Sequence, residues 1–367
     1  MPTTKPRPGS LAAKVAGVKV PPQRQGLVWK GPLEDGITFS LLSKFLVCRE
    51  RFRLLVIEGW KTADKFNHLM EYGNMWHVCE ENLAAGGDWA KALTEYGYEL
   101  IKRYPLRRAD VEHWYKMCMA QFPHYVHHWA KHPDVKERTP LMQEETFTIR
   151  YVLPSGREVK LRGKYDAVDV IGKGKDAGIY LQENKTKSQV DPTKIGRQVT
   201  YDLQSMLYII SLKDKHASMG WAKLGPIAGV RYNVVRRPAH KSPESMCKKI
   251  DEDIIDRRIG EWFGRWRVEI SDLDIARFKK ETFDPILEQL YDWWETQTLG
   301  VERAYFLQLD RYKQTKFISP CHFRYPYGIY HILNEGGTGD LDVLLNEGSK
   351  AGLKQVDTLF PELETKK

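Results

Sequence analysis

The stretch KYDAVDVIGKGKDAGIYLQENK, residues 164–185, carries two runs of alternating apolar residues around a glycine- and lysine-rich connection. A period of two predicts a strand on each side, and GKGKDAG at 172–178 predicts the turn between them. With the hairpin centred near residues 174 and 175, alternation sets Val170 opposite Ile179, Val168 opposite Leu181 and Asp166 opposite Glu183, all on one face. Lys185, two residues on, shares that face. The apolar pairs lie nearest the turn, and the charged cluster lies at the far end.

Like charges that face each other on a sheet are destabilising, so two facing carboxylates call for something between them. A divalent cation is one remedy. Two carboxylates with room for water suit Mg²⁺ or Mn²⁺, and the backbone carbonyl of Asn184 can add a ligand. Lys185 can hold or help deprotonate an attacking water and offset charge on a phosphorane-like transition state. That is the chemistry of metal-dependent phosphodiester hydrolysis. A surface hairpin with Asp166, Glu183 and Lys185 solvated or ion-paired fits the same pattern, and the hairpin alone leaves both readings open.

Upstream, EETFTIRYVL alternates, PSG at 154–156 is a turn signal and REVKLRGKYDAVDVI alternates again, so a three-stranded antiparallel meander is expected. The chain before it reads as helical, over 39–57, 64–85, 88–103 and 109–131. Ser40 is a plausible N-cap there, with Leu41, Leu42, Phe45 and Leu46 on one face. After the meander come a helix over 192–212, a strand near 227–235, and helices over 243–262 and 272–297. On the 192–212 helix, Arg197, Tyr201, Gln204 and Tyr208 share one face, opposite Val199, Leu203, Met206 and Ile210. Such a polar and aromatic stripe suits phosphate contacts and stacking on an unpaired base. The expected class is α/β (α+β): a small mixed sheet with an antiparallel meander, flanked by helices, plus helical N-terminal and C-terminal sections.

A chain of 367 residues with 42% hydrophobic and 11% aromatic residues can bury a sizeable core and is not a disordered protein. Its 57 Lys and Arg against 48 Asp and Glu leave a net charge of +9, compatible with a polyanionic partner. Residues 1–33 hold basic residues and no acidic one, a mobile basic arm read as a plain disordered terminus in preference to a dedicated DNA-binding arm. Arg236 and Arg237, with Arg231, His240 and Lys241, surround a strand end and suit a grip on a nucleic-acid backbone or a solvated loop. The histidines 124, 127, 128 and 132 lie on an aromatic-rich helix without the cysteine or carboxylate of a zinc signature. Five scattered cysteines without CxxC spacing favour a reduced, cytoplasmic setting, and neither a secretory signal nor a membrane-length apolar run is read.

Four segments in order resemble the RecB-like branch of the PD-(D/E)XK nuclease superfamily: FSLLSKFLVCRERFRL (39–54), YGNMWHVCEENL (72–83), RGKYDAV with YLQENKTKS, and DLQSMLYIISL (202–212). The resemblance implies a restriction-endonuclease-like core. It makes His77 a metal ligand beside Asp166 and Glu183, Lys185 the catalytic lysine, and Gln204 and Tyr208 the Gln-xxx-Tyr pair. Gly73, one turn before His77, would let that helix approach the sheet closely. The implied activity is Mg²⁺-dependent (or Mn²⁺-dependent) hydrolysis of DNA, exonuclease rather than endonuclease, in end processing for recombination, repair or phage replication. The alternatives are a nucleic-acid-binding or assembly protein on a nuclease fold and a structure-specific endonuclease. No Walker A pattern is present, so a helicase or single-strand annealing partner would be a separate chain. Some members of the branch carry an iron–sulfur cluster on four cysteines; only Cys48 and Cys321 match here, so none is expected. The domain division expected is the arm 1–33, a nuclease domain 34–340 with a helical section at about 60–135 and its core at about 140–240, and a tail 341–367.

Overall fold

A computed structural model describes residues 28–47, 49–57, 59–62, 66–173, 177–199, 202–299, 353–356, 358–360 and 363. The basic arm before residue 28, Cys48, Tyr201, Cys321 and most of the 341–367 tail lie outside them. In chain order the main elements are α1 (Phe39–Val47), β1 (Trp60–Thr62), α2 (His68–Ala84), α3 (Trp89–Arg103), α4 (Arg108–Trp129), β2 (Arg138–Gln143), β3 (Thr146–Val152), β4 (Glu158–Lys164), β5 (Ala167–Ile171) and β6 (Gly178–Lys187). There follow α5 (Pro192–Val199), α6 (Leu203–Ser218), β7 (Ile227–Arg236), α7 (Pro243–Ile255), β8 (Phe263–Glu269), α8 (Asp272–Phe278), α9 (Asp284–Leu299) and β9 (Leu353–Gln355). None of these helices is long and apolar enough to cross a membrane.

The chain divides into two compact units, one made of residues 65–149 and 161–281 and the other of 1–64, 150–160 and 282–367. In the second, Trp29 is fully buried and meets Phe52 and Trp294 edge-on, while Phe45 and Phe52 both pack on Trp293 of α9. Arg157 pairs with Glu288, Asp292 and Glu295, which stand three or four residues apart on one stripe of α9.

The first unit is built on a five-stranded mixed sheet of order β2-β5-β6-β7-β8, in which only β6 and β7 run parallel. Helices α2, α3 and α4 form a bundle whose stripe Tyr72, Met75, Trp76 and Cys79 is buried against Phe122 and Tyr125. The hairpin register is the one alternation predicts, with Val170 opposite Ile179 and Val168 opposite Leu181. A Cβ at Gly73 would stand 3.4 Å from Thr186 Oγ1, so α2 does lie against β6, although an alanine would fit there in ordinary contact.

Three expectations need correction. The run REVKLRGKYDAVDVI is not one strand: β3 and β4 form a separate two-stranded ribbon, and β5 pairs instead with β2 and β6. The break lies where Tyr165 N donates to Glu145 O and Glu144 N donates to Asp166 O, at 2.9 and 3.1 Å. Glu144 has φ 49°, a left-handed conformation uncommon outside glycine, and it turns both strands at that level. The predicted 192–212 helix is two helices, because Asp202 caps a new one by accepting from Ser205 N at 3.1 Å. Strand β8 begins at Phe263, just past the predicted 243–262 helix, whose regular part ends at Ile255.

Candidate active site

The stripe that buries Trp76 fixes the rotation of α2 and brings His77 round to the sheet, one-third exposed. Its Nδ1 lies 3.8 Å from Asp166 Oδ2. Asp166 sits one residue beyond the last paired rung, Ala167 opposite Gln182, so the next rung would set it against Glu183. Its carboxylate accepts from the Asn184 backbone N–H at 2.9 Å, which ties the end of β5 to β6 across the point where the two strands part. Glu144 joins them: one ligand atom each of His77, Glu144 and Asp166 lies within 4.8 Å of the others. The sequence reading missed Glu144. Its only signal was the Glu144–Glu145 pair at a strand boundary, and the left-handed turn that aims it depends on tertiary contacts.

Glu183 and Lys185 lie side by side on the β6 face that looks toward α6. Lys185 Nζ donates to Glu183 Oε1 at 2.5 Å and to Gln204 Oε1 at 2.8 Å. Glu183 is almost wholly buried, and its other oxygen, Oε2, has no hydrogen-bond partner among the described residues. A buried carboxylate oxygen without a donor costs free energy unless a cation or proton meets it.

The charges in this cluster act on one another. Burial first, then Asp166, raises Glu183 to about 7, with Lys185 opposing. Burial also raises Glu144, although Lys164 pairs with it. For His77 burial works downward, but Asp166, Glu80, Glu144 and Glu183 together lift it above 6.5. Burial likewise works against the Lys185 ammonium, and Glu183 more than offsets it, so Lys185 titrates above its ordinary value. Excess negative charge gathered around one imidazole is the setting a divalent cation satisfies. A donor set of one imidazole nitrogen and several carboxylate oxygens fits a divalent cation.

The remaining predicted residues separate. Gln204 reaches Lys185, but Tyr208 on the same helix is buried, its ring edge-on to Phe147 and Tyr165. That ring is part of the core and not a platform for a base. A Cβ at Gly163 would come within 2.9 Å of the Tyr208 ring and 2.6 Å of Phe147, which explains the glycine in RGKYDAV. The four-residue stripe expected on a single helix does not form: Arg197 belongs to α5 and Gln204 to α6. Arg236 ends β7 with its guanidinium over the Trp262 ring at 4.9 Å, and half-buried Arg237 donates its backbone N–H to Lys187 O at 2.7 Å. Neither is part of the carboxylate cluster.

The family model of the PD-(D/E)XK nuclease superfamily matches residues 37–298, well over half of the chain. No curated protein matches the sequence. The chain belongs to the PD-(D/E)XK nuclease superfamily.

Proposed function

We propose that this protein is a Mg²⁺- or Mn²⁺-dependent deoxyribonuclease of the RecB-like branch that digests DNA from strand ends. The observation that carries the reading is the convergence of His77, Glu144 and Asp166 beside a buried Glu183 whose Oε2 lacks a partner, with Lys185 held next to it. When bound, the divalent ion supplies Lewis acidity and charge neutralisation at the phosphodiester. His77, Asp166 and Glu183 would hold it, with Glu144 at the rim and the Asn184 carbonyl within the same strand segment.

Lys185 has three N–H donors, and Glu183 and Gln204 use two of them. The third is available to orient a water or to meet the charge that develops on the phosphoryl oxygens. Both partners of Lys185 are acceptors, so they keep it a cation and favour this donor role over proton abstraction. Asp166 is oriented by the Asn184 N–H, so the carboxylate is positioned before any substrate arrives.

The test is digestion of linear and covalently closed circular DNA, with Mg²⁺ or EDTA, by the wild type and by Asp166→Ala. Metal-dependent loss of linear DNA only, abolished in the variant, is the expected result. Equal cutting of circles would make the enzyme an endonuclease, and binding without cleavage of either substrate would make it a binding protein on a nuclease fold.

A further inference from the structure

A cavity of ≈ 510 Å³ runs from the His77, Glu144 and Asp166 cluster along the opposite face of the same sheet, between the strands and helices α2 and α4. Its volume is in the range of small-ligand sites. At the metal end it is acidic, with Glu80 and Glu81 beside His77. Glu80 is engaged there, since its Oε1 accepts from Asn233 Nδ2 at 2.7 Å and from Trp76 Nε1 at 3.3 Å.

The other end is cationic. Arg138, Arg231 and Arg265 line it there from three strands, and the fully buried Asp169 lies behind Arg138 and Arg231. Asp169 pairs with Arg138 at 2.7 Å and with Arg231 at 3.7 Å, which leaves three guanidinium groups to one carboxylate. Burial, followed by the charge of Arg265, pushes Arg231 down to about 10. Several buried donors at this end also lack a partner among the described residues: Arg265 Nε and Nη1, Trp129 Nε1, and Nε2 of Gln182, a side chain only 3% exposed. The Arg265 guanidinium lies 4.0 Å from the Trp129 ring centroid, which fixes its plane, and its Nη2 donates to the Tyr125 hydroxyl at 3.5 Å. Orphaned donors and surplus positive charge along one half-open cavity suit a small oxyanion with several acceptors.

The strand register gives the spacing. Asp166 is anchored at Asn184, and Gln182 with its partner Arg231 lies two residues back on the same face, about 6.6 Å at 3.3 Å per residue. That is on the order of one nucleotide step. Gln182 and Arg231, on the sheet side of the pocket, are buried, so the end of a strand would meet them at its base.

We propose that the Arg138, Arg231 and Arg265 end of this cavity receives the terminal phosphomonoester of a DNA strand, so that the enzyme prefers ends that carry a phosphate. This rests on the nuclease reading above and names the feature of the substrate that the site would recognise. The rates to compare are those of the wild type on linear duplexes bearing 5′-phosphate, 3′-phosphate or hydroxyl at both ends. A preference of about tenfold or more for one phosphorylated end is expected, and Arg265→Gln should reduce that ratio toward one while Arg265→Lys restores part of it. Equal rates on all ends in the wild type would overturn the proposal.

The second measurement does not need catalysis. Asp166→Ala protein is titrated with short single strands with and without a terminal phosphate, and separately with inorganic phosphate. Tighter binding of a phosphorylated strand, lost in Asp166→Ala/Arg265→Gln, supports the proposal even if no cleavage is ever seen. Response to inorganic phosphate with no discrimination between strand ends would assign the pocket to a free anion and overturn it.

Discussion

Toward α6, strand β6 presents Glu183 and Lys185, an acid and an ammonium 2.5 Å apart. Toward α2 and α4 the same ten residues present Gln182 and Asn184, amides that meet Arg231 and Asn233 of β7 on alternate rungs. Among the described residues one face gathers negative charge and leaves a carboxylate oxygen without a donor; the other gathers guanidinium groups and, Asn233 Oδ1 and Asp169 Oδ2 apart, leaves donors without an acceptor. Alternation along a single backbone thus sets two opposite electrostatic demands a few ångströms apart, and Asp166, at the strand end, lies where they meet. The lesson is that the incomplete hydrogen bonds of each face point to the sign of the group it would receive.

The largest expected effect tests the acidic face. Asp166→Ala and Glu183→Gln should each lower cleavage by at least about 10³-fold. The Glu183→Gln melting temperature should stay level or rise, because the change removes a buried like-charge contact with Asp166. A parallel loss of folding would make Glu183 a structural residue and break the comparison. On the other face, Arg231→Ala should act first on stability, by about 3 kcal/mol, since it strips one partner from buried Asp169; denaturant melts would show it. His77→Ala should raise the Mn²⁺ concentration for half-maximal activity by at least about tenfold, with rescue at high metal.

A pH series sharpens the picture further. Glu183 keeps its proton up to about 7 against an ordinary 4.5, and His77 titrates above 6.5. Between about pH 5 and 8 the folded, metal-free protein therefore binds more protons than the unfolded chain and loses stability as the pH rises. Metal binding needs both groups deprotonated, so the rise in melting temperature on adding Mn²⁺ should grow over the same interval. A metal shift that does not change with pH would remove His77 and Glu183 from the ligand set. The smallest effect concerns Glu144: Glu144→Gly should be more stable than Glu144→Ala by about 1 kcal/mol, because only glycine adopts φ 49° without strain. Calorimetric melts of the pair would measure it.

How much of this was legible in the sequence depended on range. The β5–β6 register could be read because a turn signal and two alternating runs lie within some twenty residues, and Asp166, Glu183 and Lys185 came with it. The start of a new helix at Leu203 was written locally too, in an aspartate three residues before Ser205, but the 4-3-4 spacing of Arg197, Tyr201, Gln204 and Tyr208 masked it. Strand β2 was not recognised because RTPLMQ contains Pro140, which demotes a strand in any single-sequence reading. Glu144, Arg138 and Arg265 were out of reach for a different reason, and Arg231 was read only as one of a basic group around a strand end. Their meaning arises only when β2, β7 and β8 are stacked beside one another, and no spacing along the chain encodes that.

Strand β6 is hydrogen-bonded to β7 along its length and to β5 as far as Gln182, with the Asn184 N–H held by Asp166 beyond it, and the chemistry proposed here is mounted on it rather than on a loop. Elements bonded in this way open last, with a free energy close to that of global unfolding. Warming should therefore not yield a population that is folded yet inactive through local fraying. Inactivation and collapse of the whole unit would coincide, and the amide of Asn184, locked onto Asp166, would be among the slowest to exchange with deuterium.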